Sequence, residues 1–183
     1  GRHAAPCRAA CALIRDGAIG RLLALHGRGK EDERGGGEDL VVLGTHILDL
    51  FRHIAGDPQW VFGHVLVDGR PLRHGDARQP SEPVGPVAGD DLLAFYGFAG
   101  GVRATFSSRR DLAARGPRLG LTMVGTEATL ALRYDDERRL RICRSTSAMM
   151  SPRRSMFWSA DSRRRMATRL RVLYLMMPAA SSK

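Results

Sequence analysis

The stretch Arg34-Gly-Gly-Gly-Glu-Asp-Leu-Val-Val-Leu-Gly-Thr-His-Ile-Leu-Asp-Leu-Phe-Arg-His-Ile-Ala-Gly56 decides how the rest of the chain is read. Three glycines open it. The apolar spacing that follows predicts one amphipathic helix over residues 39–55, stopped by Gly56 and, two residues on, by Pro58. At about 100° per residue, Leu40, Leu43, Ile47, Leu50, Phe51 and Ile54 form one apolar stripe. His46, Asp49 and His53 fall together on the opposite side, with Asp39 close to their line. Two histidines and two carboxylates along one helix face can form the wall of a polar cavity.

Working outward, Pro6 suits the first turn of a helix that runs to about Asp16 and stops at Gly17. Residues 21–28 read as a strand. Residues 29–38 form a charged, glycine-rich loop carrying Lys30, Glu31, Asp32, Glu33 and Arg34. After the helix comes a second strand, residues 60–67, ending in the Asp68-Gly69 turn. Residues 69–90, rich in Gly, Pro and charge, read as a long surface loop. Residues 92–98 and 102–108 make a hairpin around Ala99-Gly100-Gly101. Residues 119–124 and 129–134 make another around Gly125-Thr126-Glu127, and residues 140–143 a short edge strand. Helices early and hairpins late predict an α+β fold: a mostly antiparallel open sheet with helices packed on one face.

The glycine run, the His46-x-x-Asp49 step and the Gly56-Asp57-Pro58 that follows resemble the second domain of a known superfamily. It is the glucose–fructose oxidoreductase, inositol dehydrogenase and rhizopine-catabolism group (Gfo/Idh/MocA). Ala9 to Leu25 (AACALIRDGAIGRLLAL) resembles that family's helix, glycine turn and first strand after its cofactor domain. Gly89-Asp90-Asp91 with residues 95–106 resembles its sheet hairpin, and Val124-Gly125-Thr126-Glu127 its G-T-E/G turn. The likeness spans roughly residues 5–143.

The resemblance implies hydride transfer between NAD or NADP and a carbinol carbon of a sugar, polyol or related compound. It implies His46 as general acid/base, a task that suits an imidazole whose unperturbed pKa lies near 6.5. Most members carry an aspartate four residues before that histidine, where this chain has Val42. Asp39, seven residues before His46, is the candidate for a displaced catalytic carboxylate; the alternative is that it only caps the helix. Lys30, Arg34 and Asp49 are candidate substrate contacts, the two cations on a loop where plain solvation is the competing reading. In the family, the uncovered sheet face commonly packs against another subunit, so a homo-oligomer is expected.

The family's cofactor domain is not in this sequence. Gly27-x-Gly29 follows a strand, but Asp32 stands where a third glycine belongs and no helix opens there. The chain is therefore expected to be a fragment or truncated product that neither holds a dinucleotide tightly nor turns over substrate alone. The sequence leaves the cofactor-binding residues unassigned.

Composition narrows the alternatives. No apolar run reaches the roughly 18 residues of a membrane span, and no signal peptide is visible. Cys7, Cys11 and Cys143 are odd in number, and reduced thiols in a cytoplasmic protein are the expected state. The net charge of +10 is uneven. Residues 145–183 hold eight of the 29 basic side chains and one acid, a net +7, while residues 1–144 carry 21 basic and 18 acidic. We read residues 1–144 as the substrate and oligomerisation domain and residues 145–183 as a basic tail, either lineage-specific or the product of a displaced reading frame. No nucleic-acid module accompanies that tail, which makes nucleic acid an unlikely partner. A metal on His46, Asp49 and His53 is disfavoured, because i to i+7 spans roughly 10 Å. A non-catalytic sheet domain for oligomerisation or partner binding is the competing function.

Overall fold

Alternation sets the strands. Leu25, Ala104, Phe106, Leu121, Met123, Leu130 and Leu132 stand at every second position of their segments, and all are buried on one side of a single sheet. A computed structural model describes residues 2–110, 112, 118–134 and 140–144 of the chain. They belong to the unit Gly1–Ser145; the unit Thr146–Lys183, and with it the expected basic tail, lies outside the described residues. The strands are β1 (Leu22–Arg28), β2 (Trp60–Val67), β3 (Arg70–Pro71), β4 (Asp91–Gly97), β5 (Arg103–Arg109), β6 (Gly120–Gly125), β7 (Ala128–Arg133) and β8 (Leu140–Arg144). Their order across the open sheet is β3-β2-β4-β5-β1-β6-β7-β8.

The sheet is mixed, which corrects the mostly antiparallel expectation. The hairpins β4–β5 and β6–β7 form as anticipated, but β1 and β5 run parallel, with Leu25 opposite Ala104 and Gly27 opposite Phe106. The reason is topological. The chain leaves β1, crosses through helix, and builds β2, β4 and β5 before returning beside β1, and such a distant pairing leaves no local sequence signal. The loop 69–90 also has more order than expected: it contains β3 and an isolated bridge between Arg78 and Val87.

One helical run follows the glycines, but it is not one α-helix. α2 (Gly37–Asp39) leads into a π-helical turn (Leu40–Gly44) and then α3 (Thr45–Ala55). Ile47, Leu50 and Phe51 are buried against the sheet, and Leu40 and Ile54 pack at the margin of the same core. Gly27 on β1 lets α3 come this close: a Cβ there would stand 2.4 Å from Ile47 Cγ2 and 2.9 Å from Phe51 Cζ. Phe51 meets Tyr96 of β4 edge to face, ring centroids 5.9 Å apart. α1 (Ala5–Arg15) buries Cys7 and Ala10 in the same cluster and lies on β7. Both long helices thus cover one face.

The other face carries no helix among the described residues. Register assigns its rows: Phe62, Phe95, Thr105, His26, Thr122, Ala131 and Arg141 stand side by side across seven of the sheet's eight strands. Its β2–β4 end is aromatic and its β5–β7 part is polar and basic.

Candidate functional site

The glycine run is a close-packing device. Gly35, Gly36 and Gly37 thread past the backbone of residues 88–90 and 110. A Cβ on Gly35 would stand 2.2 Å from the Arg110 nitrogen, and one on Gly37 would stand 2.0 Å from the Ala88 oxygen. Gly36 also needs its positive φ of 86°. The Gly37 amide donates to the Gly89 oxygen at 3.1 Å, which seats the helix start on the end of the sheet.

Three carboxylates are buried around this seat. Asp39, 1% exposed, accepts from Ser108 Oγ at 2.5 Å and from the Glu31 amide at 3.2 Å, both on Oδ2. Ser108 Oγ in turn accepts from the Gly36 amide at 3.0 Å. Asp39 Oδ1 has no partner among the described residues. Burial pushes this carboxyl above its ordinary pKa of 3.8, against the pull of Ser108 and the Glu31 amide. Its neighbour Glu38, equally buried, goes the other way. Burial opposes its ionisation, but the Ser81 hydroxyl and amide and the Arg78 guanidinium, 2.9 Å away, outweigh that and lower its pKa. Glu31, in a left-handed conformation at φ 62°, takes the Arg118 guanidinium and, at 3.7 Å, that of Arg28.

Lys30 and Arg34 sit in ion pairs. Lys30 Nζ is 3.0 Å from Asp32, and Arg34 bridges Asp32 at 3.0 Å and Glu82 at 2.6 Å. Burial would raise the Asp32 pKa, but hydrogen bonds from Arg34 and Lys30 prevail and hold it at about 2. Arg34 ties the loop to residue 82, while the Lys30 pair remains at the surface.

His46 and His53 are exposed on α3, and Asp49 between them pairs with Arg2 at 3.5 Å. His46 makes no hydrogen bond or ion pair among the described residues. Asp39 does not share their face. The i→i+5 bonding of Leu40–Gly44 turns less per residue than an α-helix, and the accumulated lag swings Asp39 inward, away from the line that uniform α-helical spacing gave it. Nor does it cap the helix, since its acceptors serve Ser108 and the Glu31 amide. Two clefts of about 390 Å³ flank these elements. One lies between α1 and α3, lined by Arg2, His3, Arg8, Cys11 and His53 among others. The other lies on the open sheet face. Cys7 is buried and Cys11 half-buried, whereas Cys143, on edge strand β8, is exposed.

Sequence reasoning missed Ser108, Glu31, Glu38 and Arg118 as parts of this assembly. Their spacing along the chain, up to 87 residues from Glu31 to Arg118, carries no local pattern. The Gly27-x-Gly29 segment is not a dinucleotide turn: Gly27 lies inside β1, and the next helix begins only at Gly37.

A family model described as the GFO/IDH/MocA C-terminal domain matches residues 7–131. The chain belongs to that family. Solved structures share the fold. A levoglucosan dehydrogenase in complex with NADH and levoglucosan superposes with a TM-score of 0.57 at 23% identity, over 79% of this chain and 41% of its own. An NAD binding oxidoreductase from Klebsiella pneumoniae gives 0.55 at 21%, over 79% and 41%. The WlbA dehydrogenase from Bordetella pertussis, in complex with NADH and UDP-GlcNAcA, gives 0.56 at 14%, over 79% and 45%. The chain thus spans less than half the length of these relatives. No curated protein sequence matches it. No helix among the described residues is long and apolar enough to cross a membrane.

Proposed function

We propose that this chain supplies the substrate-side domain of an NAD(P)-dependent oxidoreductase acting on a sugar, polyol or related compound, with His46 as general acid/base. One observation carries the reading. His46 stands exposed and, among the described residues, unpartnered on α3, a helix whose opposite side is locked into the core through Ile47, Leu50 and Phe51. A free imidazole on a rigid mount is what a positioned proton carrier requires. Membership of the family and the NADH-bound relatives support the same reading. Hydride exchange with NAD or NADP belongs to the rest of the full-length protein; the part assigned here is the hydroxyl proton.

The other candidates divide by their partners. Lys30 and Asp49 sit in surface ion pairs worth about 0–1 kcal/mol, which substrate hydroxyls can replace at little cost. Arg34, held between Asp32 and Glu82, orders the loop. Asp39 supports that loop from beneath and makes no contact with substrate. A second reading, docking of another copy on the open sheet face, is favoured by the aromatic end of that face. Trp60 is 53% exposed and Phe62 60%, with the Phe95 ring tilted against that of Phe62 at 6.2 Å between centroids.

The test is substitution in the full-length enzyme. His46→Ala lowers turnover by about 10²–10⁴-fold, the usual contribution of a positioned acid/base, with cofactor binding nearly unchanged. His53→Ala does far less, because two helical turns carry it away. Equal turnover for His46→Ala and the unaltered enzyme would overturn the assignment.

A further inference from the structure

The groove between α1 and α3 contains a cleft of about 390 Å³, within the size range of small-molecule sites. Helical spacing builds one wall. Arg8, Cys11 and Arg15 recur at steps of three and four along α1, so they share one stripe, and that stripe faces His53 and Ile54 in the last turn of α3. Arg8 and Arg15 stand two turns apart, roughly 10 Å along the axis, so both guanidiniums can reach one group held between them. Arg2 and His3 close the end where the chain enters α1. Cys11, Ile14 and Ile54 give the cleft an apolar patch.

Charge in this cleft is of one sign among the described residues. No acidic side chain lines it. Asp49, at 3.5 Å, pairs with Arg2. The Arg8 guanidinium donates to the His3 carbonyl, a neutral acceptor that leaves its charge in place. Arg15 enters no ion pair or hydrogen bond among the described residues; Asp16 beside it closes α1 through its backbone, and Asp57 is taken by Arg52 at 2.6 Å. Burial pushes the Cys11 thiol above its ordinary pKa of 9.0, so it brings no negative charge at neutral pH. One carboxylate against three guanidiniums leaves two positive charges, with His3 and His53 beside them as further polar groups. The helix does not explain the cations at its start, since a cation in the first turn opposes the macrodipole and no acid stands there to offset it. A cleft lined by one sign of charge concentrates ions of the other. Guanidinium forks match phosphate oxygens, and the apolar patch suits a ligand with a carbon body rather than a bare ion.

We propose that this cleft binds a small organic phosphate, with the phosphate group between Arg8 and Arg15 and the carbon body on Ile14 and Ile54. The site goes beyond the oxidoreductase reading and stands apart from His46, which does not line it.

The experiment titrates phenyl phosphate into the 183-residue chain at constant ionic strength, with chloride as the balancing anion, and follows amide chemical shifts along α1 and α3. Saturable shifts centred on residues 8–15 and 53–54 are expected, with inorganic phosphate binding more weakly for want of the ring. Arg8→Gln and Arg15→Gln each weaken the affinity about tenfold or more, since a charge-assisted hydrogen bond is lost. Arg103→Gln, at an exposed strand position on the opposite sheet face, leaves it unchanged. Thermal unfolding without ligand confirms that the variants fold, as expected for exposed side chains. Shifts that do not saturate, an affinity unaltered by Arg8→Gln or by Arg15→Gln, equal binding of inorganic phosphate, or an equal loss from Arg103→Gln would each overturn the proposal.

Discussion

Two groups of polar side chains lie within one helical run and meet opposite fates. Glu38 and Asp39, at its start, are 1% exposed and tied to Ser81, Arg78 and Ser108. His46 and His53, a few residues later, are exposed, and His46 is unpartnered among the described residues. The π turn between them changes the helical phase, so one face of the run is not one face of a single α-helix. The lesson is that the buried group serves folding and the exposed group is free to serve chemistry. A buried carboxylate that holds a loop cannot also be presented to a substrate.

The comparison breaks first if the buried group proves dispensable. Arg78→Met leaves Glu38 buried with only Ser81, and it should cost stability toward the lower end of the ~3–5 kcal/mol typical of a broken buried pair, because Arg78 is 33% exposed. Urea unfolding measures this; a loss under about 0.5 kcal/mol, the scale of a neutral surface change, would mean that Glu38 is solvated.

A smaller effect separates the two adjacent carboxylates by sign. Asp39, raised above 3.8, holds its proton to higher pH folded than unfolded, so its contribution to stability falls as pH rises from 3.8 through its folded value. Glu38, lowered from 4.5, contributes fully above 4.5 and loses that contribution as pH falls through its folded value. Unfolding free energies between pH 3 and 7 should therefore show Asp39→Asn gaining on the unaltered chain as pH rises, and Glu38→Gln losing ground. Parallel curves for the two variants would remove the distinction. The smallest effect belongs to the α3 surface. His46→Ala and His53→Ala should each change stability by no more than about 0.5 kcal/mol, and a larger loss from either would place it in the folding group.

Most strands were legible because each is set by its own alternation and turn residues. Residues 60–67 match β2 end for end, and the Ala99-Gly100-Gly101 turn joins β4 to β5 as read. The α3 stripe was legible for the same reason, with Ile47, Leu50 and Phe51 at the core. His46 was legible as a surface residue of that helix. Asp39 was misplaced because a uniform 100° step was applied across a turn that does not keep it, and nothing in Leu-Val-Val-Leu-Gly announces a π segment.

By itself the sequence determined the local elements, the covered side of the sheet and the family, since periodicity, turn residues and short motifs act over a few positions. Only the tertiary structure decided that β1 and β5 run parallel, that Ser108 meets Asp39 across 69 residues, and that Arg28 and Arg133 share a cleft. Those outcomes depend on which distant segments the sheet order brings side by side, and no residue carries its partner's address in its own neighbourhood.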